Sequence, residues 1–444
     1  MHASHTPPQV TRREYWAWYL YDFGNSAYAA VVLLAIFSAY FKEQVVGGAE
    51  GTRLWGIAVG IAMLCVAVTS PILGAIADYS AAKKRLLFFY TMLCVIFTAL
   101  LFFVQQGDVV MGMTFFILAE IGYRSSQVFY NGLLPEITTP ENIGRISGNG
   151  WAIGSAGGIL CLLIVLPLIV LIKGPFIVRL SLVITAVFFA LSAIPIFLWL
   201  RERAEPQPLP PGDNYLTLGF RRLWRTLRKA RNFGEFLKFM AAFIIFNDGI
   251  IMALDFAAII GVVLYGMTQE QLIIFIIMVQ ITSVIGAYVF GLATDRWNSK
   301  SALIISLLLM IGAVVWMYFN DSIVGFYLIG ALAGFALTGV QSVSRTLVGQ
   351  LSPPGHSAEF FGLFAVAGRT SSFIGPTIYG LLAAAVAANE EARGVVAAVA
   401  EQIGQRTAIL SIAGFLVVGL LLLLTVNEAR GIRAARETVL AGAD

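Results

Sequence analysis

Among the ionisable side chains that stand inside runs otherwise apolar enough to lie in lipid are Asp22, Glu120, Arg124, Asp248, Asp255, Arg345 and Arg369. A charge at membrane depth is costly, so such residues face one another or a watery cavity, and each is a functional candidate by default. Glu120 and Arg124 are four apart, one helical turn, the spacing at which opposite charges pair. Asp22 is followed one turn later by Asn25. Asp248 has Asn247 beside it and Asp255 two turns further along the same face. Carboxylates and arginines in one cavity suit a zwitterion, because an Arg fork grips a carboxylate and a carboxylate grips an ammonium. They equally suit proton exchange, because burial disfavours a charged carboxylate, which can then titrate as its surroundings alternate. The residues leave both open. The bland alternatives are a structural ion pair for Glu120–Arg124, helix–helix hydrogen bonds near Gly24 and Gly249 for Asp22 and Asp248, and a structural or gating role for Arg345.

Other chemistry has little to stand on. His2, His5 and His356 lie in polar segments, which argues against a His-based metal or catalytic centre. Cys65, Cys94 and Cys161 each fall in an apolar run and read as small buried hydrophobes. Neither a Gly-rich nucleotide loop nor a nucleophile–base cluster is visible, so no enzyme, cofactor or metal is expected.

The elements that position the charges must be membrane spans. Of 444 residues, 59% are hydrophobic and 12% charged, half the charge of a soluble domain, with a mean hydropathy of +0.83. Only helices and closed barrels satisfy their backbone in lipid, and the long continuous runs exclude the alternating pattern of a barrel. Twelve spans are predicted: 15–41, 53–77, 86–105, 109–133, 147–172, 176–200, 236–265, 269–293, 301–319, 322–348, 358–388 and 404–427. The first apolar run is too long for a cleaved leader and is read as retained. The Ala-rich stretch 382–403 extends the eleventh helix outward or forms an external hairpin. Of the 29 Lys and Arg residues, 20 fall at one set of span ends and 5 at the other, which puts both termini in the cytoplasm. Tyr15, Trp16, Trp18 and Tyr19 are expected in an interfacial belt, with Tyr28 a weaker cavity candidate.

Segment 201–235 separates six spans from six. After Pro206, Pro208, Pro210 and Pro211 it places Phe220, Leu223, Trp224 and Leu227 on one face, amid arginines. That pattern reads as an amphipathic helix on anionic headgroups and not as a nucleic-acid site. The halves repeat. Gly74…Asp78 recurs as Gly291…Asp295 at an offset of 217, and Leu134-Pro135…Gly144 recurs as Ser352-Pro353…Gly362 at 218. A parallel repeat predicts a solute path between residues 1–200 and 236–444.

The Gly-x-x-x-Asp and the basic residues after spans 2 and 8 resemble the major facilitator superfamily. The first copy keeps Gly74, Asp78, Lys83, Lys84 and Arg85 but has Tyr79 where the family has Arg. The second keeps Gly291, Asp295, Arg296 and Lys300. The resemblance implies a cytoplasmic latch at these loops, with Arg345 near it. A narrower resemblance, to the vacuole effluxer-like branch, rests on Tyr21-Asp22…Asn25-Ser26, Phe129-Tyr130-Asn131-Gly132, Asn247-Asp248-Gly249, Ser344-Arg345 and Gly375-Pro376. It covers nearly the whole chain. It implies an all-α membrane protein of twelve helices in two six-helix pseudo-repeats. The implied activity is secondary active export of small polar solutes, amino acids first, with protons as coupling partner. The expected form is a monomer in the cell membrane, contacting solute and lipid. Its substrate or coupling residues would come from Asp22, Asn25, Glu120, Arg124, Asn131, Asn247, Asp248, Asp255 and Arg369. The rivals are a drug or sugar facilitator of the same superfamily and a non-transporting membrane receptor or scaffold.

Overall fold

The computed structural model describes residues 10–440 apart from 80, 139–142, most of 204–232, 297, 353–356 and 371. Twelve helical columns and one short terminal helix follow in order. They are α1 (Arg12–Val46), α2 (Gly48–Tyr79), α3 (Lys83–Leu100), α4 (Val109–Ile137), α5 (Ile143–Ile172) and α6 (Pro175–Trp199). The second half supplies α7 (Gly234–Asp255, resuming as Ala257–Tyr265), α8 (Gln269–Arg296), α9 (Ser299–Phe319) and α10 (Ile323–Leu351). It continues with α11 (Ser357–Thr370, resuming as Ile374–Ala392), α12 (Ala397–Leu424) and α13 (Glu428–Leu440). Among the described residues, ten columns are long and apolar enough to cross a membrane. The other two are α4, whose hydropathy is lowered by Glu120 and Arg124, and α11, which is interrupted.

The exterior is the apolar side. On α8, Ile281, Val284, Ile285 and Tyr288 are all exposed at i, i+3, i+4 and i+7, a stripe that would face the core in a soluble protein. Here it faces lipid. Cys65 is also exposed, contrary to the expectation for it, while Cys94 and Cys161 are buried.

The repeat seen in the sequence is a repeat of packing. α1 lies against α6 as α7 lies against α12; α3 pairs with α4 as α9 pairs with α10; α2 and α4 meet as α8 and α10 do. The two halves touch chiefly through α2 against α11 and α5 against α8. The columns overrun the predicted spans, and α12 begins at Ala397 because 382–403 forms a helical hairpin turned at Gly394 (φ 90°). α1 is not uniform. It is π-helical over Ala29–Ala35 and Phe41–Val46, with a bend at Ile36 (φ −117°, ψ −61°). Its counterpart α7 breaks at Phe256 (φ −106°, ψ 0°), so the first helix of each half bends at matching depth.

A second repeat went unread in the sequence. The Glu202 carboxylate accepts the Lys83 and Lys84 amides at 2.7 and 3.2 Å, and Lys84 Nζ donates to the Phe197 and Leu200 carbonyls at 3.0 and 2.5 Å. Glu428 accepts the Ser299 and Lys300 amides at 3.1 and 3.0 Å, and Lys300 Nζ donates to the Leu424 and Val426 carbonyls at 2.9 and 2.6 Å. In each half a carboxylate thus caps the start of the third helix while a lysine closes the end of the sixth. Both satisfy orphan backbone groups and both suit the helix dipole. Glu14 and Glu235, at the starts of α1 and α7, accept the Arg201 and Asn427 amides at 3.3 and 2.7 Å.

Loss of such a cap costs about 0.5–2 kcal/mol. Glu202→Ala and Glu428→Ala should therefore each lower the thermal unfolding midpoint in detergent by a few degrees. An unchanged midpoint in both variants would show that the caps carry no weight.

Candidate functional site

α1, α4, α7 and α10 bring the sequence-flagged charges together along the axis between the halves. Below, the termini end is the membrane side at which α1 begins and α12 ends, and the far end is the other. At mid-depth, Arg124 Nε donates to Glu120 Oε1 at 2.6 Å, with the Glu120 side chain 1% exposed and that of Arg124 24%. The guanidinium carbon also sits 5.1 Å from the centre of the Tyr123 ring, which stacks on Tyr28 at 4.7 Å. Arg124 is held from two sides with part of its fork open to the cavity. Across the gap, Asp255 of α7 is within electrostatic reach of Arg124 and Glu120. At 4% exposure Asp255 is buried, not wet in an outer vestibule.

Asp248 lies two turns nearer the termini end on the same helix, buried, beside Asn247. Asn247 donates to the Gly368 carbonyl of α11 at 3.3 Å and accepts from Gln341 of α10 at 3.3 Å. Asn247 therefore ties three helices of the second half together. Nearer still to the termini end, Asp22 of α1 faces Arg345 of α10 electrostatically, although they belong to opposite halves. Arg345 is exposed near the termini end of α10, in a stretch where Val343, Ser344, Leu347 and Val348 are buried. Gly154 of α5 packs directly onto the Asp22 carboxylate, so any side chain there would displace it.

Asn25 Oδ1, Asp248 Oδ1 and Asp255 Oδ2 are buried with no hydrogen-bond partner among the described residues. Buried polar atoms are nearly always paired, so three such oxygens around one axis mark a place built to receive donors. Asn131 is exposed on α4, seven residues and about 10 Å beyond Arg124 toward the termini end. The Arg369 side chain lies outside the described residues.

The loop residues act locally. Lys83 is buried and binds Glu136 at 2.6 Å, while Lys84 and Lys300 hold helix ends as described above. These partners belong to the same half as the lysine. Arg85 and Arg296 are exposed, a Cβ at Gly74 would meet open space, and the side chains of Asp78 and Asp295 and the surroundings of Gly291 are not described. Of the expected aromatic belt, Trp16 is 53% exposed, but Trp18 and Tyr19 are buried, Trp18 stacking on Tyr130 at 4.5 Å. Phe220, Leu223 and Leu227 of the expected basic interfacial helix lie outside the described residues.

The far end is closed by residues that sequence reasoning passed over. Lys42 of α1 meets Glu401 of α12 at 2.6 Å, Gln405 Nε2 donates to Thr52 of α2 at 2.7 Å, and Trp55 Nε1 donates to the Asp255 carbonyl at 3.0 Å. Among the described residues, all side-chain hydrogen bonds and ion pairs from one half to the other are these three. Beyond them lies a cavity of about 840 Å³ lined by Lys42, Glu43, Lys173, Glu270 and Glu401. Lys42 and Glu401 sit near helix ends, where a charge does not stand out in the sequence. Nothing in the sequence alone marks Trp55.

Comparison with known proteins agrees with this architecture. Residues 55–436 match the family model described as vacuole effluxer Atg22-like. The chain is 27% identical over 378 residues to an uncharacterised MFS-type transporter, YxiO, of Bacillus subtilis (strain 168), covering 83% of this chain and 87% of that protein. It is also 27% identical over 263 residues to autophagy-related protein 22-1 of Penicillium rubens, covering 54% of this chain and 44% of the fungal one. In fold it is similar to an inward-facing bacterial homologue of the human lysosomal transporter Spinster, with a TM-score of 0.66 at 15% identity over 96% of this chain and 97% of that one. A variant of the nucleoside transporter NupG gives a TM-score of 0.69 at 16% identity over 94% of this chain and 100% of that one.

Removing one member of a buried ion pair costs about 3–5 kcal/mol, because the other is left uncompensated. Glu120→Leu and Arg124→Met should each destabilise the protein strongly in detergent unfolding, and the double variant should recover most of the loss. Additive losses would mean that the two side chains do not act as a pair.

Proposed function

The chain belongs to the vacuole effluxer Atg22-like family of major facilitator transporters, and from that premise we propose that it exports small zwitterionic solutes, amino acids first, driven by protons. The single observation that carries this reading is the Glu120–Arg124 pair facing Asp255 from the opposite half. A substrate carboxylate docks on the open side of the Arg124 fork while its ammonium takes Asp255, with Asp248 and Asn25 offering further acceptors. Such a solute bridges the two halves, so binding it favours their approach. Protons serve the same carboxylates, since Asp248 and Asp255 lose their solute partner when the cavity empties and Asp22 loses Arg345 when the termini side opens, and each can then be neutralised by a proton.

The two six-helix units, joined by 201–235, rock about this axis. Asp22 and Arg345 approach and part on the termini side, and the Gly74–Arg85 and Gly291–Lys300 loops close that side. Both termini lie in the cytoplasm, so the far-closed arrangement is the one loaded from within. The protein acts as a monomer in the cell membrane.

Purified protein in liposomes should move amino acids in a manner abolished by an uncoupler; indifference to the proton gradient would remove the coupling. Asp22→Asn and Asp248→Asn should each reduce transport to background with expression intact, and wild-type rates in both would discard the assignment. A thermal-shift panel of amino acids and other metabolites should single out the substrate, since a ligand at a hundred times its Kd stabilises by about 2.7 kcal/mol.

A further inference from the structure

Trp55 is fully buried in α2 of the first half, its ring 4.4 Å from that of Phe116 and 6.2 Å from those of Phe37 and Phe41. Its indole N–H leaves that cluster and crosses to the second half, where it donates to the Asp255 carbonyl at 3.0 Å. That carbonyl is available because α7 breaks at Phe256, the next residue. A second path reaches the same break. Thr52, one turn before Trp55, accepts from Gln405; Gln405 accepts from the Tyr379 hydroxyl at 2.8 Å; and the Tyr379 ring lies 4.1 Å from that of Phe256. Around the crossing there is no slack. A Cβ on Gly56 would lie 2.5 Å from the Pro376 carbonyl and 3.3 Å from the Phe256 ring.

The Asp255 backbone therefore ends the far-side closure while its side chain faces Arg124 in the cavity. We infer that Trp55 is a positioning residue that couples the charge state of the Asp255 side chain to opening of the far end, with Gln405 and Tyr379 as the parallel strut. Neutralising or pairing the carboxylate shifts the α7 break, and the break carries the acceptor that holds α2 in place. The charged groups facing Asp255 are Arg124 and Glu120 from α4 and Asp248 from its own helix. Among the described residues, the other half-to-half bonds, Lys42–Glu401 and Gln405–Thr52, involve no residue of the central charged site. This inference rests on the alternating-access reading and on no particular substrate.

The test uses the full chain in liposomes, with Cys65, Cys94 and Cys161 replaced by alanine and Thr377→Cys as reporter. Thr377 lies half-buried on α11 against Gly60 of α2, at the seam between the halves, so a thiol there becomes more accessible when that seam opens. The probe is a membrane-impermeant maleimide, with no solute present. Trp55→Phe keeps the ring and deletes the N–H, and it should raise the labelling rate about fivefold, the shift expected from losing one net hydrogen bond. Gln405→Leu should also raise it and carries the test if the Trp55 variant fails to fold. Asp255→Asn should change the rate when Trp55 is present and change it less in the Trp55→Phe background, where the Gln405 strut alone remains. Unchanged labelling in both folded gate variants, or an equal Asp255→Asn effect in the two backgrounds, would overturn the inference. Labelling needs no transported solute, so a failed amino-acid assay and a failed gate assay remain distinct results.

Discussion

A charge surrounded by hydrocarbon is paired, wet or unaffordable, and most of this structure follows from that constraint. The outer faces of the helices carry Ile, Val, Leu and Phe, and the central site's few ions gather on the axis between two halves. Glu120 and Arg124 neutralise each other within one helix, while Asp255 and Asp22 find their opposite charges only across the gap. An axis whose charges are balanced partly by the other half is sensitive to how the halves are placed. That sensitivity is the physical basis of a transporter, because any ion or solute that changes the balance changes the preferred placement.

The duplicated helix-end clamps serve the opposite purpose. Glu202 with Lys84, and Glu428 with Lys300, fasten the third and sixth helices inside each half. Their distances match across the repeat more closely than the sequence around them does. Rigidity is kept within the halves, and among the described residues the side-chain hydrogen bonds and ion pairs between them are few and lie toward the far end. A six-helix unit that is stiff inside and loosely tied to its neighbour can move as a body.

What the sequence made legible was what hydropathy and charge can encode. Span number, the six-plus-six repeat and the intramembrane ions could be read because each breaks an otherwise apolar background. The clamps were missed because Glu202 and Glu428 lie in polar segments, where one more carboxylate stands out from nothing. The π-helical stretches of α1 and the break at Phe256 have no composition of their own, since no proline or glycine stands at Ile36 or Phe256. Trp18 and Tyr19 were misplaced for a related reason. Aromatic residues near a span end fit both a headgroup belt and a packed core, and only the neighbouring Tyr130 decides between them. The vestibule ion pair Lys42–Glu401 joins positions more than 350 residues apart, a distance no local pattern spans.

The placement of Glu202 bears on how the protein is made. Every described clamp of the first half is complete once residue 203 has left the ribosome, since Glu14, Lys83, Lys84 and Glu136 all precede it. The amino-terminal bundle can settle in the bilayer while its twin is still being translated, and the long connecting segment gives it time to do so. The carboxy-terminal bundle waits in the same way for Glu428, which follows its sixth helix, so a chain cut short before it would insert with the ninth helix uncapped.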